Sequence, residues 1–342
     1  MRFAVDILHP AHVHFFRNFI AEMESRGHEF LVTVREKEIA VDLLRAHSIP
    51  HVVISRQARG HVPMAAELMV RTARFWRLAR RFRPDYLLGI MGPTIALAGK
   101  VLPSRTVIFY DTEMAKVTNW FAYPLADRVC TPTCYQESVG PNHVTYPGYH
   151  ELTYLHPRRF TPDREVLSTY GLATEEPIYI VRFVSWEASH DVGETGLSSA
   201  HKERLVGTLS RRGRVLITSE GPLPASLESY RSPLPVEHIH HALAFADLLV
   251  GESATMASEA AVLGTHAIFV SKTGRGYTDE QEREYGLVHN FSHQQGDEAL
   301  GEVDRLLALE DVKADAALRR QRLLSEKIDV TAWMVEFFES GA

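Results

Sequence analysis

The feature that most constrains the fold is an alternation of strands and helices that runs through the chain twice. Short apolar segments such as Phe3–Leu8 and Tyr86–Ile90 alternate with longer amphipathic segments such as Val13–Ser25. Units of about 30 residues with this alternation are typical of a parallel sheet with helices on both faces. The alternation stops in a stretch rich in proline and glycine, residues 147–163, and then restarts.

This pattern predicts an α/β fold with two doubly wound parallel-sheet domains. The predicted boundaries are residues 1–150 for the first domain, 151–163 for a linker, 164–328 for the second domain and 329–342 for a C-terminal helix. That helix is apolar, and it either packs on the second domain or crosses back onto the first. The length of 342 residues suits two domains of about 150 residues each.

Composition excludes several classes of protein. The net charge of −6 and the pI of about 6.3 argue against a nucleic-acid binder. No run of eighteen apolar residues occurs, and Asp6 and His9 interrupt the place where a signal peptide needs its apolar stretch. The two cysteines, Cys130 and Cys134, imply no disulfide framework. We therefore expect a cytoplasmic protein.

The stretch Gly251–Gly264 follows the predicted strand Leu248–Val250. Its small residues open a helix whose first backbone N–H groups favour an anion such as a diphosphate. Glu259 lies four residues beyond Thr255, on the same helix face, where its carboxylate could bind a ribose diol. The alternative is an ordinary helix start, with Ser253 as its cap and Glu259 in solvent.

Arg182 interrupts the predicted strand Ile178–Val184, and a guanidinium in a strand needs an anionic partner. That partner is either a phosphate or a carboxylate such as Glu220 or Glu252. The polar segment that begins at Ser185 is expected to cover a ligand.

Glycines occur in another loop of the second half. Gly274 and Gly276 follow a further predicted strand, and they permit either close approach to a ligand or a flexible surface loop.

The first half also has polar residues where strands end. His9, His12 and His14 follow the first strand, and a histidine there could serve as a general base, with His12 as the first candidate and His14 as the substitute. Structural turn histidines or a zinc site are the alternatives. Asp111 and Glu113 follow another strand and could share base and hydrogen-bonding duties, although Asp111 could simply cap the next helix.

Arginines recur along the predicted helix Pro63–Phe82, from Arg71 to Arg81, with aromatic residues beside them. This face either is solvated or contacts an anionic membrane at its inner surface.

Several segments carry a resemblance to known families. The stretch Gly251–Gly264 resembles the C-terminal signature of GT-B glycosyltransferases and UDP-N-acetylglucosamine 2-epimerases. Residues 6–16, 111–113 and 182–191 are similar to one branch of that superfamily, domain of unknown function family 354. The resemblance implies two Rossmann-like domains facing a cleft, a diphosphate at the glycine/serine turn, and a ribose at the helix glutamate.

The resemblance further implies a metal-independent glycosyltransferase with no cofactor. Its donor would be a nucleotide-diphosphate sugar, above all a UDP-sugar, and its acceptor a lipid-linked compound or a surface glycan. The absence of an Asp-x-Asp motif agrees with metal independence. A UDP-sugar 2-epimerase or hydrolase is the first alternative, disfavoured by the absence of a His-Arg-x-Glu-Asn motif, and a non-catalytic sugar-nucleotide binder is the second.

Each candidate residue has an expected role in this interpretation. The base is His12, Asp111 or Glu113, with His9 and His14 on the acceptor side. The donor-binding residues are Arg182, Ser185, Gly251, Glu252, Ser253, Ala254, Thr255, Glu259, Gly274 and Gly276.

Overall fold

The computed structural model describes residues 1–37, 39–57, 61–113, 120–172, 175–184, 196–219 and 221–342. The chain forms two units, one of Met1–Arg159 with Ile328–Ala342 and one of Phe160–Lys327. The division at Arg159 falls inside the proline-rich stretch, but residues 151–155 are buried within the first unit.

The first unit contains a parallel sheet whose strands, in spatial order, are β3-β2-β1-β4-β5-β6-β7. All of its strand pairs are parallel. The strands are β1 (Arg2–Ile7), β2 (Glu29–Glu36), β3 (Val52–Arg56), β4 (Tyr86–Ile90), β5 (Arg105–Phe109), β6 (Arg128–Pro132) and β7 (His143–Tyr146). Because the chain order reverses on either side of β1, this is the doubly wound sheet that the sequence predicts.

Helices connect these strands. In the described residues they are α1 (Pro10–Ser25), α2 (Ala40–Ala46), α3 (His61–Phe82) and α4 (Pro93–Gly99). Two short 3₁₀ helices, Tyr123–Leu125 and His150–Thr153, follow later in the unit. The turn before α4 requires glycine, because Gly92 has a φ of 62° and a Cβ there would lie 2.7 Å from Ile108.

The second unit contains a smaller parallel sheet of order β12-β11-β10-β8-β9. Its strands are β8 (Ile178–Phe183), β9 (Arg214–Ser219), β10 (Leu248–Gly251), β11 (His266–Val270) and β12 (Val288–Phe291). The helices described in this unit are α5 (Arg164–Thr169), α6 (Ser199–Leu209), α7 (Ile239–Phe245), α8 (Ala254–Leu263), α9 (Gly276–Glu280), α10 (Gly296–Leu307) and α11 (Val312–Glu326). One core joins the inward faces of β8 and β10 to α6 and α10.

The last helix, α12 (Val330–Glu339), belongs to the first unit, so the alternative that it packs on the second domain is wrong. Aromatic contacts explain its position. The ring of Phe338 lies 5.3 Å from that of Phe3 and 5.1 Å from that of Tyr86, and the side chain is 1% exposed. The Trp333 ring lies 4.8 Å from that of Tyr146. Since aromatic residues bury large apolar areas, these contacts hold the helix on the first sheet.

Not all arginines of helix α3 lie on the solvated or membrane-contacting face that the sequence predicts. Arg71 is 2% exposed, and its Nε donates to Thr94 at 2.7 Å while its guanidinium contacts Glu67 at 3.4 Å. Its neighbour across this network is Asp6, whose carboxylate lies 4.0 Å away, and burial raises the pKa of Asp6. Arg71 therefore compensates buried carboxylates and does not belong to a solvated or membrane-facing surface.

Other residues of α3 are exposed, including Arg77, Arg80, Met64 and Met69. No helix in the described part of the chain has the length and apolar character needed to cross a bilayer.

Candidate functional site

The second unit places Gly251 and Arg182 side by side at the carboxyl end of its sheet. Gly251 ends β10, and its register partner in β8 is Arg182. A Cβ at position 251 would lie 2.5 Å from the carbonyl oxygen of Arg182 and 2.7 Å from its Cβ. Glycine is therefore required for the close pairing of the two strands, and Arg182 beside it is a partly exposed residue.

Helix α8 begins directly after this strand. The Ser253 hydroxyl accepts a hydrogen bond from the N–H of Met256 at 3.3 Å, so Ser253 is the N-cap. Helix geometry leaves the N–H groups of Ala254 and Thr255 without acceptors inside the helix. Both residues are partly exposed, and the start of α8 can therefore bind an anion.

Glu259 is not solvated. Its carboxylate is 4% exposed, and Oε1 accepts a hydrogen bond at 2.9 Å from Nε2 of His240, which is itself 2% exposed. A buried carboxylate held by a hydrogen-bond donor has a fixed position. His240 was not among the predicted site residues, although its place in the helix that precedes β10 was a usable signal.

Glu252 has a structural environment that spacing did not reveal. Its carboxylate lies 2.9 Å from Nζ of Lys202 and accepts hydrogen bonds from the N–H groups of Val184 and Leu197, each at 3.0 Å. One buried carboxylate thus holds both flanks of the segment between those two residues. These contacts engage both oxygens of Glu252, and they give it a role in positioning the chain beside Gly251.

The loop that contains Gly274 and Gly276 connects β11 to α9. Gly276 is buried at the beginning of α9, and Gly274 is exposed, where a Cβ would lie 3.1 Å from Oδ1 of Asp279. Arg275 donates to the Thr273 hydroxyl at 2.9 Å, which orders the turn between them. Two other predicted residues, Ser185 and Glu220, lie outside the described residues.

In the first unit, α1 begins at Pro10 and not at the predicted Val13. Proline is favoured at a first helical position, and the His9 side chain caps the helix by accepting the N–H of Ala11 at 3.2 Å. His12 and His14 therefore both lie within the helix and point in different directions. The His14 ring packs 5.2 Å from that of Tyr154 and is 8% exposed, so it does not join His12.

The tautomer of His12 follows from its contacts. Nδ1 accepts the N–H of Leu8 at 3.2 Å, so the proton of the neutral ring resides on Nε2. Burial, followed by the nearby His9, holds the pKa of His12 well below its usual range. His12 is therefore a neutral hydrogen-bond donor at Nε2.

Asp111 pairs with a histidine that sequence analysis missed. Nδ1 of His150 lies 3.1 Å from Oδ2 of Asp111, while Oδ1 accepts a hydrogen bond from the Thr112 hydroxyl at 3.0 Å. Because the Asp111 carboxylate can only accept a hydrogen bond, Nδ1 of His150 carries the proton. The lone pair of the neutral imidazole is therefore on Nε2. That nitrogen is buried and has no hydrogen-bond partner among the described residues.

The environment of His150 keeps the ring neutral. Burial lowers the pKa of His150, and the negative charge of Asp111 opposes that shift. Its ring also packs 4.4 Å from that of Phe15, which fixes its plane. His150 follows the Pro147–Gly148 turn after β7, so only the folded sheet brings it to Asp111 at the end of β5.

Metal binding was one alternative for the histidines after β1. Among the residues that the structure describes, no three His, Cys, Asp or Glu side chains are grouped as metal ligands.

Several solved structures have the same fold as this chain. The Neisseria meningitidis UDP-GlcNAc 2-epimerase bound to UDP-GlcNAc superposes with a TM-score of 0.68 at 11% identity, covering 100% of both chains. Acinetobacter baumannii MurG gives a TM-score of 0.60 at 18% identity, covering 99% of this chain and 100% of that one. The spinosyn forosaminyltransferase SpnP gives 0.65 at 14% identity, with 99% and 98% covered. These similarities confirm the GT-B-like fold.

Sequence comparison adds a relative and a family. An uncharacterized protein of Methanocaldococcus jannaschii, MJ0665, is 21% identical over 276 residues, which are 76% of this chain and 79% of the relative. The family described as "Protein of unknown function (DUF354)" matches residues 1–275. Because this match spans well over half of the 342 residues, the chain belongs to the DUF354 family.

Proposed function

We propose that this protein is a metal-independent glycosyltransferase that moves a sugar from a UDP-sugar to a hydroxyl group of an acceptor. The observation that carries the proposal is the strand–helix junction at Gly251, where the first N–H groups of α8, on partly exposed residues, precede a buried carboxylate, Glu259, held by His240. An anion site followed by a fixed hydrogen-bond acceptor suits a diphosphate joined to a ribose.

The donor would bind in two parts. The N–H groups of Ala254 and Thr255 would donate hydrogen bonds to the diphosphate oxygens, with Arg182 adding a positive charge beside them. Glu259 would accept hydrogen bonds from the ribose hydroxyls. In the reaction the acceptor oxygen bonds to the anomeric carbon, the bond from that carbon to the phosphate oxygen breaks, and UDP leaves with the electron pair.

His150 is the proposed general base, and Asp111 orients it. The lone pair on Nε2 of His150 can take the proton of the acceptor hydroxyl, whereas Nε2 of His12 already carries a proton. His12 would therefore donate a hydrogen bond to substrate, with His9 beside it, and Glu113 would bind the acceptor. These roles refine the choice among His12, Asp111 and Glu113.

The acceptor is proposed to be lipid-linked or part of a surface glycan, presented at an anionic membrane. Support comes from α3, where Met64 is 46% exposed and Met69 66% exposed, with exposed Arg77 and Arg80 further along the helix. Exposed apolar and basic side chains on one helix favour the surface of an anionic bilayer. Sedimentation with anionic vesicles should carry the protein down, and the Arg77→Glu/Arg80→Glu variant should stay in the supernatant.

The donor site is tested by calorimetric titration of UDP and a panel of UDP-, GDP- and dTDP-sugars. The wild type should bind UDP, and Glu259→Ala or His240→Leu should weaken it at least tenfold, about 1.4 kcal/mol. Glu228→Ala is the matched control, because that exposed glutamate pairs with Arg231 three residues further along the chain. Absence of binding to any nucleotide, or unchanged affinity in Glu259→Ala, contradicts the proposed site.

A further inference from the structure

A concave pocket of about 350 Å³ lies in the first unit, at the end of β5 and β6. Its described lining residues include Glu113, Trp120, Tyr123, Pro124, Tyr135 and Glu137. The negative charge of Asp111 raises the pKa values of the lining residues Tyr123 and Tyr135, so the pocket lies near the carboxylate that pairs with His150. Ligand pockets span about 300–1,000 Å³, so this pocket suits one small ring rather than a whole sugar nucleotide.

The pocket has a preorganised aromatic wall. The hydroxyl groups of Tyr123 and Tyr135 are 3.0 Å apart, and the Tyr110 ring lies 6.2 Å from each of their rings. Trp120, in contrast, is 82% exposed at the rim. An indole left in water adds little to folding, and its flat face is available for stacking.

The charged residues described in the lining of this pocket are both acidic. Glu113 and Glu137 line it, and none of its described lining residues is Lys or Arg. Burial raises the pKa of Tyr135, and the negative charges of Glu113, Glu137 and Asp111 raise it further. The Glu113 and Glu137 carboxylates therefore disfavour phosphate or carboxylate groups placed beside them, and they can accept hydrogen bonds from hydroxyl or amino groups.

We propose that this pocket binds a sugar ring without anionic groups, neutral or amino-bearing, as the terminal ring of the acceptor. The ring stacks on Trp120, and its hydroxyl or amino groups donate to Glu113 and Glu137. This inference rests on the proposed glycosyl transfer, and it assigns the acceptor class: the group that receives the sugar is itself a sugar hydroxyl, while any phosphate of the acceptor lies outside the pocket.

The test is a ligand-observed NMR titration of the full chain with five probes: methyl glucoside, glucosamine, glucuronate, glucose 1-phosphate and tetramethylammonium. Methyl glucoside or glucosamine should bind at least tenfold more tightly than the two anions. Trp120→Ala should abolish this binding, and Trp76→Ala, which alters an indole on α3, should leave it unchanged. Glu137→Gln should weaken glucosamine and reduce the discrimination against glucuronate.

The experiment distinguishes results that contradict the pocket assignment from results that contradict the proposed function. Preference for the anions, binding of tetramethylammonium without any sugar, or full binding by Trp120→Ala overturns the pocket assignment. UDP binding measured on the same samples separates this failure from failure of the proposed function. If UDP binds and no sugar does, the pocket assignment is wrong alone. If a sugar binds at Trp120 and no nucleotide binds, the glycosyltransferase proposal fails, and with it the acceptor role of the pocket.

Discussion

Nδ1 of His150 lies 3.1 Å from Oδ2 of Asp111, across the gap between the ends of β7 and β5. The pairing leaves the lone pair of the imidazole on Nε2, which is buried without a hydrogen-bond partner among the described residues. His12 has the reverse arrangement, since its Nδ1 is occupied by the N–H of Leu8. The two histidines therefore differ in what they can do to a substrate hydroxyl: one accepts its proton and the other donates to it.

Replacing His150 by Gln should lower kcat by about 10²- to 10⁴-fold, the usual contribution of a general base. Asp111→Asn should act in the same direction, because it removes the acceptor that selects the tautomer. UDP affinity should stay unchanged in both variants, since the proposed donor site consists of residues of the second unit. His156→Gln, in a partly exposed loop of the same unit, is the control. Full turnover by His150→Gln would end its assignment as the base.

The pH dependence of kcat/KM should show the environment of His150. A base must be deprotonated, and burial lowers the pKa of His150, so the acid limb should lie below about pH 6.5, the ordinary histidine value. Asp111 raises this pKa, so the residual activity of Asp111→Asn should have its acid limb at a still lower pH. An acid limb above pH 6.5, or an upward shift in Asp111→Asn, contradicts this assignment.

Folding stability should also fall in acid. The pKa values of buried His12 and His150 are lowered in the folded protein, so between about pH 6.5 and those lowered values the unfolded chain binds more protons. Burying the two neutral rings therefore does not reduce the free energy of unfolding above pH 6.5. Below that pH the free energy of unfolding falls progressively. Urea unfolding at pH 7.5 and 5.5 measures how much the free energy of unfolding falls, and that fall should be smaller in His12→Asn. An equal fall in His12→Asn would show that protonation of His12 does not contribute to it.

Glu252→Ala should destabilise the second unit by about 3–5 kcal/mol, because it leaves the buried ammonium of Lys202 without its carboxylate. The double variant Glu252→Met/Lys202→Met should recover part of that stability, since it removes both charges. Urea unfolding free energies provide the comparison. If the double variant is no more stable than Glu252→Ala, the pairing of the two charges is not the cause.

Gly251→Ala should destabilise the second sheet by about 1–3 kcal/mol, because its Cβ would overlap Arg182. The matched control is Gly207→Ala in α6, where a Cβ meets nothing within 4 Å and stability should rise by about 0.5–1 kcal/mol. Equal effects at the two positions would contradict the close approach of β10 to β8.

Much of the fold was predictable because both sheets are parallel and buried, so each strand is a short continuous apolar run. The position of the C-terminal helix was harder to predict from the sequence. An apolar helix such as α12 can pack on any exposed apolar surface, and only the aromatic cluster around Phe3 and Phe338 decides between the two units.

The sequence pointed to candidate residues at or just beyond the ends of strands, as at Gly251 and Asp111. It did not point to the histidines that pair with the candidate carboxylates. His240 and His150 precede or follow those positions by many residues, and neither lies in a recognisable motif. Charge balance was also hidden: Arg71 and Glu252 are ordinary charged residues in the sequence, yet each lies in a buried ion network.

The most direct test of glycosyl transfer is proton NMR of the products formed from a bound UDP-sugar and a neutral sugar acceptor. We predict a new glycosidic anomeric signal that appears together with UDP and is lost in His150→Gln. Conversion of the UDP-sugar to its C2 epimer, with no dependence on acceptor, would contradict glycosyl transfer and favour the epimerase alternative.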